Sequence, residues 1–236
     1  MQRRTPVFIV TSARPRVGKT LVARALTEYF CAQSRPVAAF DVNPGEFKLI
    51  DHLPAYTAAA SIDDTRGEVA LFDQLVADDQ VAKVVDLGHM MFERFFAVMQ
   101  QIDFLAETQR RAIAPMVLFV ADPDDRARQG YALLNIRFPD LPITPVFNES
   151  LSQFTGYRAN FAPTRRGGEP LKIPALSPVV RSVVDRSNFS FVAYASKTDD
   201  KTSELFDWMR RVFIAFREIE VRLLRDEIVP QLKHSA

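Results

Sequence analysis

Residues 7–20 read Val7-Phe8-Ile9-Val10-Thr11-Ser12-Ala13-Arg14-Pro15-Arg16-Val17-Gly18-Lys19-Thr20, an apolar run that ends in a turn and the tripeptide Gly-Lys-Thr. The first half predicts a strand at 6–12. After the turn, apolar positions at three- and four-residue spacing predict a helix over 19–33. Gly18, Lys19 and Thr20 are three chemical parts of a phosphate site: a backbone that can approach closely, an ammonium for the phosphate oxygens and a hydroxyl for Mg²⁺. They stand at a helix start, where the unpaired N–H groups attract anions. Phosphate-binding loops usually place a glycine five residues before Gly18, and here that position is Ala13. The competing reading is a chance Gly-Lys-Thr at a helix start, which the strand–turn–helix context disfavours.

Outward from that stretch, short β-branched runs predict further strands at 36–42, 82–87, 115–121, 143–148, 171–174 and 189–194. Amphipathic segments between them predict helices at about 64–78, 90–111, 124–137, 177–186 and 200–228. Such alternation predicts an α/β fold, a doubly wound and mostly parallel sheet flanked by helices, with ligands at the carboxyl ends of the strands. Residues 1–236 are expected to form one domain. Residues 151–170, with Gly156, Gly167, Gly168 and the pair Arg165-Arg166, read as one long surface loop. No repeat or low-complexity tract interrupts the pattern.

Composition narrows the partners. The 236 residues are 47% hydrophobic and 25% charged, with a formal net charge of +1, so no global field draws the chain to nucleic acid or membrane. The single cysteine, Cys31, cannot form an internal disulfide and reads as a small buried hydrophobe. Met1-Gln2-Arg3-Arg4 runs into a strand rather than an apolar leader, and no apolar run approaches the ~20 residues of a membrane span. A reducing cytoplasm is the expected location.

The residues before Gly18 carry a more specific signal. Arg14-Pro15-Arg16-Val17-Gly18-Lys19-Thr20 resembles the deviant phosphate loop of the ParA/MinD-type P-loop ATPases, a signature lysine, two glycines, any residue and then Gly-Lys-Thr. Arg14 falls on the signature lysine, and Pro15 and Arg16 on the two glycines. Arginine keeps the charge but is longer and forked, so it is not interchangeable with lysine. Three later segments extend the resemblance over most of 6–195. Asp41-Val42-Asn43-Pro44 stands where the family carries Asp-x-Asp-Pro, with Asn43 in place of the second acid. Val84-Val85-Asp86-Leu87-Gly88 reads as the strand whose carboxylate holds Mg²⁺, or as a strand-end aspartate capping a turn. Asn148 ends the strand ITPVFN, and Pro174 lies in Ile173-Pro174-Ala175-Leu176, the family's segment beside the adenine.

The resemblance implies a slow, partner-stimulated ATPase with ATP and Mg²⁺ as cofactors, whose nucleotide-dependent homodimer positions or partitions a cargo. It implies that Ala13, Arg14, Pro15, Arg16, Val17, Gly18, Lys19, Thr20 and Leu21 surround the phosphates, with Thr20 and Asp86 on the metal. Lys19, Asp41 and Arg14 are the implied catalytic residues: Asp41 orients the attacking water and Arg14 reaches the partner's nucleotide. Asn148 reads the base beside Pro174. An activating or cargo protein is the implied partner. The lone cysteine excludes the family's iron–sulfur members.

Other residues carry weaker signals. His89 is a cap or surface residue, or a sensor of the γ-phosphate. Arg126 and Arg128 belong to a solvated charge cluster, and Phe92, Phe95, Phe96 and Met99 form core or a dimer face. Leu205, Trp208, Met209, Val212, Phe213, Phe216, Ile219 and Leu223 form an apolar stripe along the final helix. Arg210, Arg211, Arg217, Arg222 and Arg225 fall largely elsewhere on it. That helix docks on the sheet, or lies on a membrane surface, or offers a patch to nonspecific DNA. Interleaved Asp207, Glu218, Glu220, Asp226 and Glu227 weaken the last two readings. Two other functions share the motif: an ATP-dependent ligase resembling dethiobiotin synthetase, and a nucleotide-binding adaptor without hydrolysis. Asp-x-Asn-Pro argues against the ligase, which generally has a substrate-binding lysine there, whereas the lost glycines and Asn43 favour the adaptor.

Overall fold

Alternation along the first strand sets the layers. In β1 (Thr5–Thr11), Val7 and Ile9 face one half of the core while Phe8 and Val10 face the other, and all four are fully buried. A strand covered on both faces belongs in the middle of a parallel sheet. The computed structural model describes residues 4–45, 48–151, 155–164, 166–187 and 189–232, with side chains described as far as 223. Met1, Gln2, Arg3 and Arg165, and the side chains of Arg225, Asp226 and Glu227, lie outside the described residues.

β1 leads into α1 (Lys19–Ala32), β2 (Val37–Val42), α2 (Leu49–His52), β3 (Thr57–Ala59), α3 (Thr65–Leu75) and β4 (Ala82–Leu87). After a 3-10 turn at His89–Met91 come α4 (Phe92–Gln101), α5 (Phe104–Arg110), β5 (Ile113–Val120), α6 (Asp125–Arg137) and β6 (Ile143–Asn148). The chain closes with a 3-10 turn at Gly156–Asn160, β7 (Leu171–Ile173), α7 (Pro178–Val184), α8 (Phe191–Lys197) and α9 (Glu204–Leu232). The strands form one sheet in the order β3-β2-β4-β1-β5-β6-β7, parallel at every pairing. Strand order reverses direction at β1, which makes the carboxyl ends of β4, β1 and β5 the switch point where such sheets bind ligands.

One core half packs α3 to α6 on the sheet, and Phe92, Phe95, Phe96 and Met99 lie inside it. The other packs α1, α7, α8 and α9. The final helix docks as expected: Leu205, Trp208, Met209, Val212, Phe216 and Ile219 are buried, and Phe213 and Leu223 partly so. Its apolar stripe is therefore covered by the protein's own core. Glu220 ties the helix to α1 by accepting from the Tyr29 hydroxyl at 2.6 Å and from Arg35 at 2.5 Å. Among its arginines, Arg210 and Arg211 pair with Asp207, and Arg222 donates to the Gly167 and Glu169 carbonyls. Among the described residues, no helix is long and apolar enough to cross a membrane.

Several expectations need correction. The strand expected at 189–194 is the helix α8: Ser190 Oγ accepts from Ala193 N as its cap, and Phe191 stacks on Trp208 at 5.3 Å. The helix expected at 90–111 breaks at Ile102–Asp103, where Asp103 takes φ 49. Loop 151–170 is not wholly a surface loop, because Phe161 is buried against Phe119 and Tyr131. Cys31 is half-buried rather than enclosed.

Candidate functional site

Gly18 has φ +93 and starts α1, and a Cβ there would stand 2.4 Å from Asn148 Nδ2. Glycine is thus required twice, for the left-handed backbone and for the close approach. Asn148 uses that proximity to donate to the Val17 carbonyl at 3.1 Å, while its Oδ1 accepts from Ser150 N. Arg16, standing on a glycine position of the resemblance, itself has φ 59. The loop keeps a glycine-like shape with an arginine in it, at a cost of roughly 1–2 kcal/mol. Pro15 and Arg16 are exposed, Ala13, Arg14 and Thr20 partly buried, and Val17 and Leu21 buried.

Lys19 is buried at the helix start, and its Nζ donates to the Arg14 carbonyl at 2.7 Å. Burial lowers its pKa to about 8, with Asp86 pulling the other way. Asp86, near the carboxyl end of β4, is fully buried. Its Oδ2 accepts from Thr20 Oγ1 at 2.7 Å, whereas its Oδ1 is buried with no hydrogen-bond partner. Burial raises the Asp86 pKa to about 7, and Asp41 adds to the rise while Thr20, Lys19 and Asn43 oppose it. A hydroxyl and a carboxylate with one unsatisfied oxygen make an all-oxygen donor pair of the kind hard divalent cations take. Among the described residues, no group of three or more His, Cys, Asp or Glu gathers into a separate metal site.

Arg14 Nη2 lies 3.4 Å from Asp124 Oδ2, and Arg14 Nε is buried without a hydrogen-bond partner. Asp124 also caps α6 by accepting from Arg126 N. Arg128 pairs with Asp125 in an exposed cluster, the solvated one expected there. Asp41 is fully buried and accepts from Asn43 Nδ2 and from Leu49 and Ile50 N–H. Pro174 is partly buried, and its carbonyl accepts from Trp208 Nε1 at 2.7 Å. His89 is exposed on the 3-10 turn after β4.

Three contributions escaped the sequence reading. Gly130 of α6 makes room for the loop, since a Cβ there would meet Ala13 Cβ at 2.8 Å. Asp124 supplies the acid beside Arg14. Arg24 and Glu28, almost wholly buried on α1, staple the segment after α7: Arg24 donates to the Val184 and Phe189 carbonyls and lies over the Phe189 and Phe191 rings. Glu28 accepts from Ser190 Oγ and Val192 N. An i,i+4 ion pair on an otherwise apolar helix is the signal that could have flagged them. A separate cavity of about 350 Å³ lies between α3 and the α4–α5 pair, floored by Phe72, Val76 and Val98; none of the loop residues lines it.

No family model matches the sequence, and neither does any curated protein. Among solved structures, the chain is similar to a chain of the MinC:MinD cell division protein complex of Aquifex aeolicus. That match has 12% identity and a TM-score of 0.49, over 91% of this chain and 96% of that one. It is similar to a ParA family ATPase from Chlorobium tepidum TLS at 14% identity and TM-score 0.45, over 89% of this chain and 99% of that one. It also resembles a plasmid partition protein from Borrelia burgdorferi at 10% identity and TM-score 0.46, over 92% of this chain and 99% of that one.

Proposed function

We propose that residues 1–236 form one P-loop ATPase domain of the ParA/MinD kind, which binds Mg-ATP at the carboxyl ends of β1 and β4 and hydrolyses it slowly. The observation that carries this reading is Asp86: a fully buried carboxylate bonded to Thr20 through one oxygen, the other oxygen having no hydrogen-bond partner. An unsatisfied buried carboxylate oxygen costs stability, and a cation would remove that cost. Thr20 and Asp86 would hold Mg²⁺, which when bound supplies charge neutralisation at the phosphates. Lys19 faces the same place as a cation stripped of water, and a phosphate would restore the stabilisation that burial removes.

In this reading the backbone from Ala13 to Leu21 wraps the phosphates, and Asn148 and Pro174 stand on the base side. Arg14 neutralises phosphate charge, including that of a second subunit in a nucleotide-dependent homodimer. Asp41 orients water. The working output is a cytoplasmic switch between monomer and dimer that positions a cargo and is accelerated by a protein partner, because hydrolysis in such sites is positioning plus electrostatics. The test is calorimetry of Mg-ATP binding. Lys19→Ala should keep the fold and lose about tenfold to a hundredfold in affinity, the worth of one charge-assisted contact. Equal binding by parent and variant overturns the site assignment. One observation favours the adaptor instead: Asp41 is buried and already accepts three hydrogen bonds. ATP binding with no phosphate release, with or without a partner, would establish that reading.

A further inference from the structure

The cavity of about 350 Å³ between α3 and the α4–α5 pair lies on the half of the core that packs α3 to α6, across the sheet from α1. Its floor, Phe72, Val76 and Val98, is buried, but its rim is apolar and open. Val69 on α3 is 54% exposed and Ile102 is 44% exposed. Asp103, at φ 49, ends α4 at this point and leaves Ile102 on the rim instead of inside a continuous helix. Val69, Phe72 and Val76 recur at three- and four-residue spacing, so one side of α3 lines the cavity for two turns, about 10 Å. Open apolar surface rimmed by polar residues marks an interaction site. The rim here is acidic. Residues 61–79, which carry α3 and its flanks, hold six acids against one arginine, in a chain whose formal net charge is +1. Two acids on the cavity are compensated: Glu68 pairs with Arg94 at 2.9 Å, and Glu107 pairs with Arg110 at 2.6 Å and with Arg111. Asp73 also lines the cavity, is exposed, and pairs with no cation among the described residues.

We propose that this groove docks a partner protein through an amphipathic helix, with two turns of apolar anchors set between Val69 and Ile102 and a lysine or arginine placed on Asp73. A groove between two helices receives a third by taking side chains spaced at i, i+3 or i+4, and i+7, and two turns of α3 match that span. Covering Val69 and Ile102 removes apolar surface from water, which drives association. The charge on Asp73 then fixes which partner fits: a basic helix gains an ion pair, and an acidic one meets repulsion from Asp73 and from the excess acids of α3. None of the phosphate-loop residues lines the groove, so docking should be the same with and without nucleotide. The proposal is therefore independent of the Mg-ATP site.

The experiment titrates the full chain into a fluorescein-labelled synthetic peptide of about 15 residues, roughly four helical turns, and reads fluorescence anisotropy. The peptide carries leucines at i, i+3, i+4 and i+7 with lysines beside them. One control has the same composition with the leucines scattered, so that no apolar face forms; the other keeps the leucines and has glutamates for lysines. The parent should bind the first peptide about tenfold more tightly than either control. Asp73→Lys should weaken that binding several-fold and raise binding of the glutamate peptide. Val69→Glu combined with Ile102→Glu should abolish binding of all three, and a circular dichroism melt checks that the variants fold. If the double variant does not fold, Asp73→Lys, at an exposed position, carries the test. Equal binding of the scattered peptide overturns the proposal, as does equal binding of the glutamate peptide by the parent, or a folded Asp73→Lys that binds as the parent does. Sedimentation of the nucleotide-free parent covers the other occupant: dimers that Val69→Glu breaks apart would make the groove a contact between copies of this chain, and the proposal would be wrong.

Discussion

Replacing Asp86 by Asn tests whether the carboxylate is held uncompensated, because the change keeps the side-chain volume and an acceptor for Thr20 while removing the charge. Burial moves the Asp86 pKa from its ordinary 3.8 to about 7. The unfolded chain thus releases this proton near pH 3.8 and the folded chain only near 7, so between those values the native state binds more protons. Stability must then fall as pH rises through that window. Below it neither state is charged and nothing is lost; above it the loss is complete. About three pH units at about 1.4 kcal/mol each set its size at about 4 kcal/mol.

Asp86→Asn carries no such loss. In nucleotide-free, magnesium-free buffer, the stability of the variant relative to the parent should climb by up to about 4 kcal/mol between pH 4 and pH 7.5, most steeply near one proton per unit. Urea unfolding at half-unit pH steps measures it, and the groups the two proteins share cancel in the difference. Lys19 cancels only in part, because the Asp86 charge acts on it. A difference that stays flat to within about 0.5 kcal/mol across the range would refute the reasoning, since Asp86 would then be ionised and compensated within the fold. The same variant should lose affinity for Mg-ATP far more than for metal-free nucleotide, and equal losses would make Asp86 a turn residue.

Gly18→Ala forces a Cβ to 2.4 Å from Asn148 Nδ2 at φ +93, so it should lower the melting temperature by about 5–10 °C; a shift under 1 °C would count against the contact. Arg16→Gly should raise the melting temperature by about 1–3 °C by relieving φ 59, while Arg16→Ala, equally strained, should not. Arg14→Ala should still bind ATP yet remain monomeric in sedimentation with a slowly hydrolysed analogue, and Arg14→Lys should partly restore the dimer. Normal dimerisation of Arg14→Ala, or a parent that never dimerises, would refute the interface role.

The strands legible in the sequence are those buried on both faces, where apolar residues run without interruption, as in Val7–Val10 and Val84–Val85. β3 is three residues long with two exposed, too short for a pattern. Residues 189–194 read as one of the short β-branched strand runs, and the short-range cap from Ser190 to Ala193 N decided for a helix. The break between α4 and α5 comes from Asp103 in the left-handed region, which no periodicity reveals. At the site, Gly18, Lys19, Thr20 and Asp86 were legible because their roles depend on residue type and on position after a strand. Asn43 was read as a missing acid. Its amide donates to both Asp41 and the Asp86 carbonyl because the register sets those two residues side by side, a tertiary fact with no trace in local sequence.

A phosphate loop short of glycines must draw its shape from elsewhere, and here the sources can be named. Ala13 fits because α6 offers Gly130, Val17 is held through its carbonyl by Asn148, and Arg14 leans on Asp124. These contacts, each worth about 1 kcal/mol, can offset the strain at Arg16. Glycine in these places would leave the unfolded chain and an empty loop more freedom to lose. The substituted loop is ordered in advance, so a ligand that fits it bears less ordering cost. The same fastening has a consequence for charge. Lys19 Nζ is bonded to the Arg14 carbonyl, and Arg14 is paired with Asp124. A phosphate that recruits Lys19 must compete with that carbonyl, and one that recruits Arg14 must compete with a carboxylate. The second competition involves a full charge and is the harder to win, which is why the loss of Arg14 should be felt in association rather than in the binding of nucleotide by one subunit.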